Sequence, residues 1–82
     1  MQTITDVRQY LTREQAIASA VPGSPEYQVF TLLLRIAHTS ETIEAFLTQA
    51  REMPIEGPQE ESKEARAWLR IALATVEEGK AS

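Results

Sequence analysis

Residues 27–37, with the sequence YQVFTLLLRIA, are more apolar than a small chain can easily bury. Eight of these eleven residues are hydrophobic, so on a helix they would cover most of the circumference rather than one stripe. A chain of 82 residues has few other elements with which to cover such a surface. The segment therefore predicts a central helix packed on several sides, or a helix that also meets a partner.

Two clusters of proline and glycine divide the chain, at residues 21–25 (VPGSP) and 53–58 (MPIEGP). Such residues favour turns, and nowhere do polar and β-branched residues alternate as they do in a strand. We therefore expect one all-α domain over residues 1–82, with helices at about 4–20, 25–53 and 59–78. The long central helix is expected to form an antiparallel hairpin with the C-terminal helix, giving a small bundle.

Residues that commonly begin and end helices support these boundaries. Thr3 can cap the first helix with Asp6 in its first turn, and Ser24 can cap the second helix ahead of Pro25. Gly79 is a suitable stop for the third helix. The three helical pieces are therefore each bounded by recognisable local signals.

Two places leave the number of helices open. Residues 12–15 (TREQ) form a capping-box pattern, so the first helix could be hinged at Thr12, although one continuous helix is favoured. Apolar residues recur along the central helix in steps of three and four, as in a heptad seam. The polar residues 38–42 (HTSET) are poor helix formers and could break that helix, which would give four helices.

No residue pattern specifies a reaction, and no catalytic residue is predicted. The chain has no cysteine, one histidine and no glycine-rich phosphate loop. His38 is followed by Glu41 and Glu44, whose side chains suit divalent ions. Carboxylate-bridged metal bundles, however, draw ligands from four helices and repeat the Glu-x-x-His pattern, which is lacking here. We therefore predict a protein that is not an enzyme and holds no metal ion or cofactor.

Acidic residues are concentrated in the second half of the chain. The net charge is −4, which opposes non-specific binding to nucleic acid. The basic residues Lys63, Arg66 and Arg70 are interleaved with acids and fit a solvated helix face. An acidic cluster is ordinarily a solvated face as well, but it can also dock on a basic protein surface. The predicted acidic interface surrounds the second loop and consists of Glu52, Glu56, Glu60 and Glu61.

A second predicted interface is apolar and lies on the first half of the central helix. It consists of Tyr27, Phe30, Leu33 and Leu34. In a homodimer, two-fold symmetry would use this patch twice, although the first helix could cover it instead. Trp68, the only tryptophan, is expected in the core, because large aromatic side chains dominate the packing of small domains.

Composition also bears on location. The longest apolar run has three residues, so no membrane-spanning segment is predicted. The first residues lack the basic and apolar pattern of a signal peptide, and the absence of cysteine fits a reducing compartment. A cytoplasmic protein is therefore expected.

Together these features predict a non-catalytic protein–protein interaction module, a small acidic adaptor or inhibitor that docks on a larger assembly. In size and charge the chain resembles small acidic helical proteins, such as phage-borne ones, that inhibit host defence complexes. The start of its central helix at residues 24–28 (SPEYQ) is similar to that of small helical-hairpin secretion chaperones. Neither likeness rests on a specific motif, so no family is recognised. The alternatives are a helical chaperone or assembly subunit, and a regulator that holds a small ligand between helices or subunits.

Overall fold

The computed structural model describes residues 2–55 and 59–81, and these described residues are 80% helical. The helices are α1 (Ile4–Ala18), α2 (Pro25–Thr39), α3 (Ile43–Arg51) and α4 (Gln59–Ala81). No strand occurs among these described residues. The prediction of a small all-α bundle is confirmed, and α1 is one continuous helix rather than two hinged at Thr12.

Local caps begin the helices where the sequence indicates. The Thr3 hydroxyl accepts a hydrogen bond from the backbone N–H of Asp6. In return, the backbone N–H of Thr3 donates to the Asp6 carboxylate, with 2.9 Å between nitrogen and oxygen, and the two bonds form a capping box. The Ser24 hydroxyl accepts the amide of Tyr27, and Pro25 occupies the first turn of α2. Both expected N-termini are confirmed.

The expected long helix over residues 25–53 is wrong, because the chain breaks between α2 and α3. Ser40 adopts an extended conformation, and its hydroxyl donates to the Ile36 carbonyl at 2.8 Å. Thr42 then caps α3 by accepting the Ala45 amide at 3.1 Å. The polar side chains of this segment thus satisfy backbone groups that a continuous helix would pair internally.

Arg8 of α1 completes the end of α2. Its Nε donates to the Ala37 carbonyl and its Nη2 to the Ser40 carbonyl, each at 2.8 Å. These carbonyls lie at the negative end of the α2 dipole, where a cation is favoured. The interaction also fixes the direction of α1, which runs opposite to α2.

The antiparallel hairpin between the central and C-terminal helices needs correction as well. Gln2 lies against Gly79, so α1 and α4 also run in opposite directions. It follows that α2 and α4 run the same way, and that α3 is the helix that runs back before α4. The chain thus reverses direction after α2, at the break that follows Thr39. The sequence pattern placed this reversal later, in the loop before the last helix.

Gly79 does not end the last helix, which continues to Ala81. A Cβ atom at this position would overlap the side chain of Gln2. The end of the Gln2 side chain therefore lies against the backbone of α4 at Gly79. The expected end of the helix at residue 78 is wrong, because α4 continues to Ala81.

Phe30 of α2 lies at the centre of the core and is 1% exposed. Its ring makes edge contacts with Tyr10 of α1 and with Trp68 of α4, at centroid distances of 6.5 Å and 6.1 Å. Leu33 is also completely buried. The prediction that Phe30 and Leu33 form an exposed interface is therefore wrong, because α1 and α4 cover them, whereas Trp68 packs against the core as expected.

We predict that Arg8→Ala lowers the free energy of unfolding by about 1.5–3 kcal/mol, because two carbonyls lose charged donors. Arg13→Ala is the matched control, since Arg13 is an exposed arginine on the same helix and should change stability by less than about 0.5 kcal/mol. Urea titrations measure both values. Equal stability of the two variants would contradict the role given to Arg8.

Two adjacent leucines test the corrected assignment of the core. Leu33 is 0% exposed and Leu32 is 38% exposed. We expect Leu33→Ala to lower the free energy of unfolding by about 2–5 kcal/mol, because a buried side chain is lost and a cavity remains. Leu32→Ala should cost only about 1 kcal/mol, because more than a third of Leu32 already lies in water and its removal leaves no enclosed cavity. Thermal and urea denaturation check this order, and the reverse order would refute the packing.

Candidate protein-binding surface

Three of the four predicted acidic residues lie on the surface where α3 ends and α4 begins. Glu52 is the C-cap of α3, and Glu60 and Glu61 are in the first turn of α4; all three are exposed. Glu56 lies outside the described residues. Acids in the first turn of α4 are favoured by its helix dipole, so local physics alone accounts for two of them.

A small hollow lies beside this acidic surface, and we refer to it as the Leu32 hollow. Its volume is about 60 Å³. One wall comes from α2, a second from the connection after α3, and a third from the first turns of α4. The lining residues are Gln28, Val29, Leu32, Met53, Pro54, Ile55, Glu61 and Ala65. The hollow is thus mostly apolar, with one carboxylate in its wall.

A second, more open depression lies on the other side of Leu32. It measures about 310 Å³ and is lined by Pro22, Tyr27, Gln28, Thr31 and Leu32. Both depressions share Gln28 and Leu32. Leu32 therefore stands between two concave surfaces and is exposed to solvent from both.

Basic side chains lie on a different face of α4. Lys63, Arg66 and Arg70 line a depression of about 300 Å³ that does not include Glu61. Residues two apart on a helix point to different sides, which separates Lys63 from Glu61. Arg51, which ends α3, forms an ion pair with Glu77. The Glu61 carboxylate in the wall of the Leu32 hollow is therefore separated from these basic side chains.

The two remaining residues of the predicted apolar interface are half-buried. Tyr27 borders the open depression, and Leu34 packs against the core. With Phe30 and Leu33 inside the bundle, the four residues do not form one exposed face. The homodimer stays a prediction, but its expected contact surface is occupied within the chain.

Several apolar residues of this surface were not predicted as an interface. The apolar heptad pattern over residues 25–53 includes Leu32 and, at its end, Met53. Leu32 follows Val29 by three residues and so lies on the same side of α2, and the sequence of α2 alone does not distinguish it from the buried residues. The position of Met53 depends on the break before α3.

His38, Glu41 and Glu44 are distributed over the last turn of α2, the connection and the first turn of α3. In the part of the chain that the structure describes, no group of three histidine, cysteine or acidic side chains could hold a metal ion. Within the same residues, no helix combines the length and the apolar character needed to cross a membrane.

Tyr10 of α1 packs edge-on against Phe30, and its phenol oxygen lies near the hydroxyl of Thr75 in α4. Burial raises the pKa of Tyr10 above its ordinary value of 10.0, and the charge of Glu14 adds to the rise, while the polar contact with Thr75 opposes it. Burial is the largest of these effects. The shift belongs to the packing of α1 on α4 and does not mark a reactive group.

The pKa of Tyr10 is higher in the folded chain than in the unfolded chain. The contribution of protonated Tyr10 to the free energy of unfolding is therefore complete below pH 10 and is lost as pH rises through the folded-state pKa. We expect Tyr10→Phe to be less stable than the wild type at neutral pH by about 0.5–1.5 kcal/mol, because it lacks the phenol oxygen and its polar contact with Thr75. The difference should narrow above pH 10. Urea titrations at several alkaline pH values check this, and a difference independent of pH would contradict it.

Comparison of the whole chain with models of known families, with curated proteins and with solved structures finds no match.

Proposed function

We propose that this protein is a non-catalytic binding module, an acidic adaptor or inhibitor that docks on a basic surface of a larger protein assembly. The docking surface is formed by the end of α3 and the start of α4, where Glu52, Glu60 and Glu61 are exposed. The observation that carries the proposal is the position of Glu61, which lines the Leu32 hollow with Glu52 and Glu60 exposed at the same end of the bundle, while Lys63, Arg66 and Arg70 line a separate depression of α4.

The neighbouring cations leave this charge available to a partner. Arg51 precedes Glu52 in the chain, but its side chain pairs with Glu77. The overall charge of −4 has the same sign as the local surface, so the long-range field also favours a basic partner. Such complementarity mainly accelerates encounter and excludes wrongly charged partners.

The burial of α2 weakens the case for a chaperone or assembly subunit. That alternative relied on a wide apolar face around Phe30 and Leu33, and this face is covered by α1 and α4. A ligand-binding regulator receives little support, because the Leu32 hollow, at about 60 Å³, is far smaller than the roughly 300–1,000 Å³ of typical small-molecule sites, and the adjoining depression of about 310 Å³ is open rather than enclosed. Docking of a protein agrees better with these observations.

The test compares two double variants that change the net charge equally. Glu52→Lys/Glu61→Lys reverses the proposed surface, and Glu41→Lys/Glu78→Lys reverses two exposed acids elsewhere. The control acids lie at the opposite end of the bundle, because Gly79 meets Gln2, and Gln2 and Glu41 line one depression. Thermal melting of each variant verifies that the fold is retained.

We expect the immobilised wild type and the control variant to capture the same host proteins at low salt, and the Glu52→Lys/Glu61→Lys variant to lose them. With a captured partner purified, its association rate should fall about tenfold in that variant at low salt and by less at high salt. Equal capture and equal rates for both variants would show that these acids form only a solvated face.

A further inference from the structure

The Leu32 hollow combines an apolar lining with a carboxylate, and nothing in the proposed docking of charges uses its apolar part. Leu32 is 38% exposed although it is a large hydrophobic residue on the central helix. Val29, Met53 and Ile55 supply further apolar lining, and Glu61 stands at the side. The site thus offers both a place for an apolar side chain and a charge beside it.

We propose that the Leu32 hollow and the open depression beside it bind a short basic segment of a partner protein, which inserts a bulky apolar side chain next to Lys or Arg residues. This inference rests on the proposed function and specifies the chemistry of the partner. The apolar side chain enters the Leu32 hollow, and the basic residues meet Glu61 and the neighbouring acids.

The dimensions favour a side chain over a free ligand. The hollow has a volume of about 60 Å³, which suits part of one apolar side chain. The adjoining depression of about 310 Å³ is open and shares Gln28 and Leu32 with the hollow. A peptide segment that crosses Leu32 therefore contacts two depressions in succession, and bound neighbours of the inserted residue contact Pro22 and Tyr27.

The charges select a basic segment over an acidic or neutral one. Glu61 lines the hollow, and Glu60 and Glu52 are exposed close to it in the chain. Each exposed ion pair adds little affinity, so the acids contribute mainly to the rate of encounter and to the choice of partner. Burial of the apolar surface of Leu32 slows dissociation of the bound segment and so lengthens its residence time.

The experiment selects a random peptide display library on the immobilised full-length protein. The expected result is a set of peptides in which a bulky aliphatic residue, Met or Phe occurs within a few positions of two or more Lys or Arg residues. One selected peptide is then synthesised, and its dissociation constant is measured for the wild type and four variants at low and high salt.

Leu32→Gln should raise the dissociation constant about tenfold, because the apolar contact is lost. Ile71→Gln is the matched control, since Ile71 is 52% exposed on α4 and does not line either depression. Glu60→Gln/Glu61→Gln should raise the constant about fivefold at low salt and less at high salt, whereas Glu41→Gln/Glu78→Gln should leave it unchanged. Leu32→Ala, which keeps a good helix former, repeats the test if Leu32→Gln melts early.

Selection of no peptide, selection of peptides without basic residues, or equal binding by wild type and Leu32→Gln would each overturn the proposal. A wild-type dimer in sedimentation that Leu32→Gln dissociates would also overturn it, by showing a second copy of the chain in the site. Basic peptides that respond to Glu60→Gln/Glu61→Gln but not to Leu32→Gln would refute the hollow and leave the proposed function standing. If the Glu52→Lys/Glu61→Lys variant captures host proteins as well as the wild type does, the proposed function itself is refuted.

Discussion

The rest of the structure depends on the capped break after Thr39, which two hydrogen bonds from Arg8 complete. Arg8 donates to the carbonyls of Ala37 and Ser40 at the point where α2 ends and the chain turns back into α3. In an uninterrupted helix, Met53 would lie about 37 Å along the axis from Gln28, at 1.5 Å per residue. Instead both residues line the same hollow. The candidate binding surface is thus a consequence of the capped break.

The same helix supplies stability on one side and the proposed contact on the other. Phe30 and Leu33 are buried between α1 and α4, and Leu32, adjacent in sequence to Leu33, faces solvent. A chain of 82 residues has a thin core, so losses at the buried positions affect the whole fold. Changes at Leu32 affect mainly the surface. This separation allows binding at the surface to vary while the core is preserved.

Local signals predicted the helical class and the starts of α1 and α2, because Thr3 and Ser24 act within their own turns. The break near Ser40 is only one of two alternatives from the sequence. Local helix propensity does not include the hydrogen bond from Arg8, which is 32 residues from Ser40 in the chain. Exposure of Glu52, Glu60 and Glu61 followed from their charge. The position of Glu61 beside Leu32 did not, because that hollow also depends on the path of α3. The contact of Gly79 with Gln2 likewise joins the two ends of the chain and leaves no local pattern.

The position of the acids explains how a small domain can carry them without losing stability. Glu60 and Glu61 occupy the first turn of α4, where the helix dipole offsets the repulsion between neighbouring carboxylates. The same dipole weakens the negative potential that a partner meets, so charge alone would give fast but short-lived encounters. The apolar hollow beside Glu61 would lengthen the lifetime of such a complex, because burial of apolar surface slows dissociation and is not screened by salt. The proposed recognition therefore combines both features, and we expect a partner with only one of them to bind weakly.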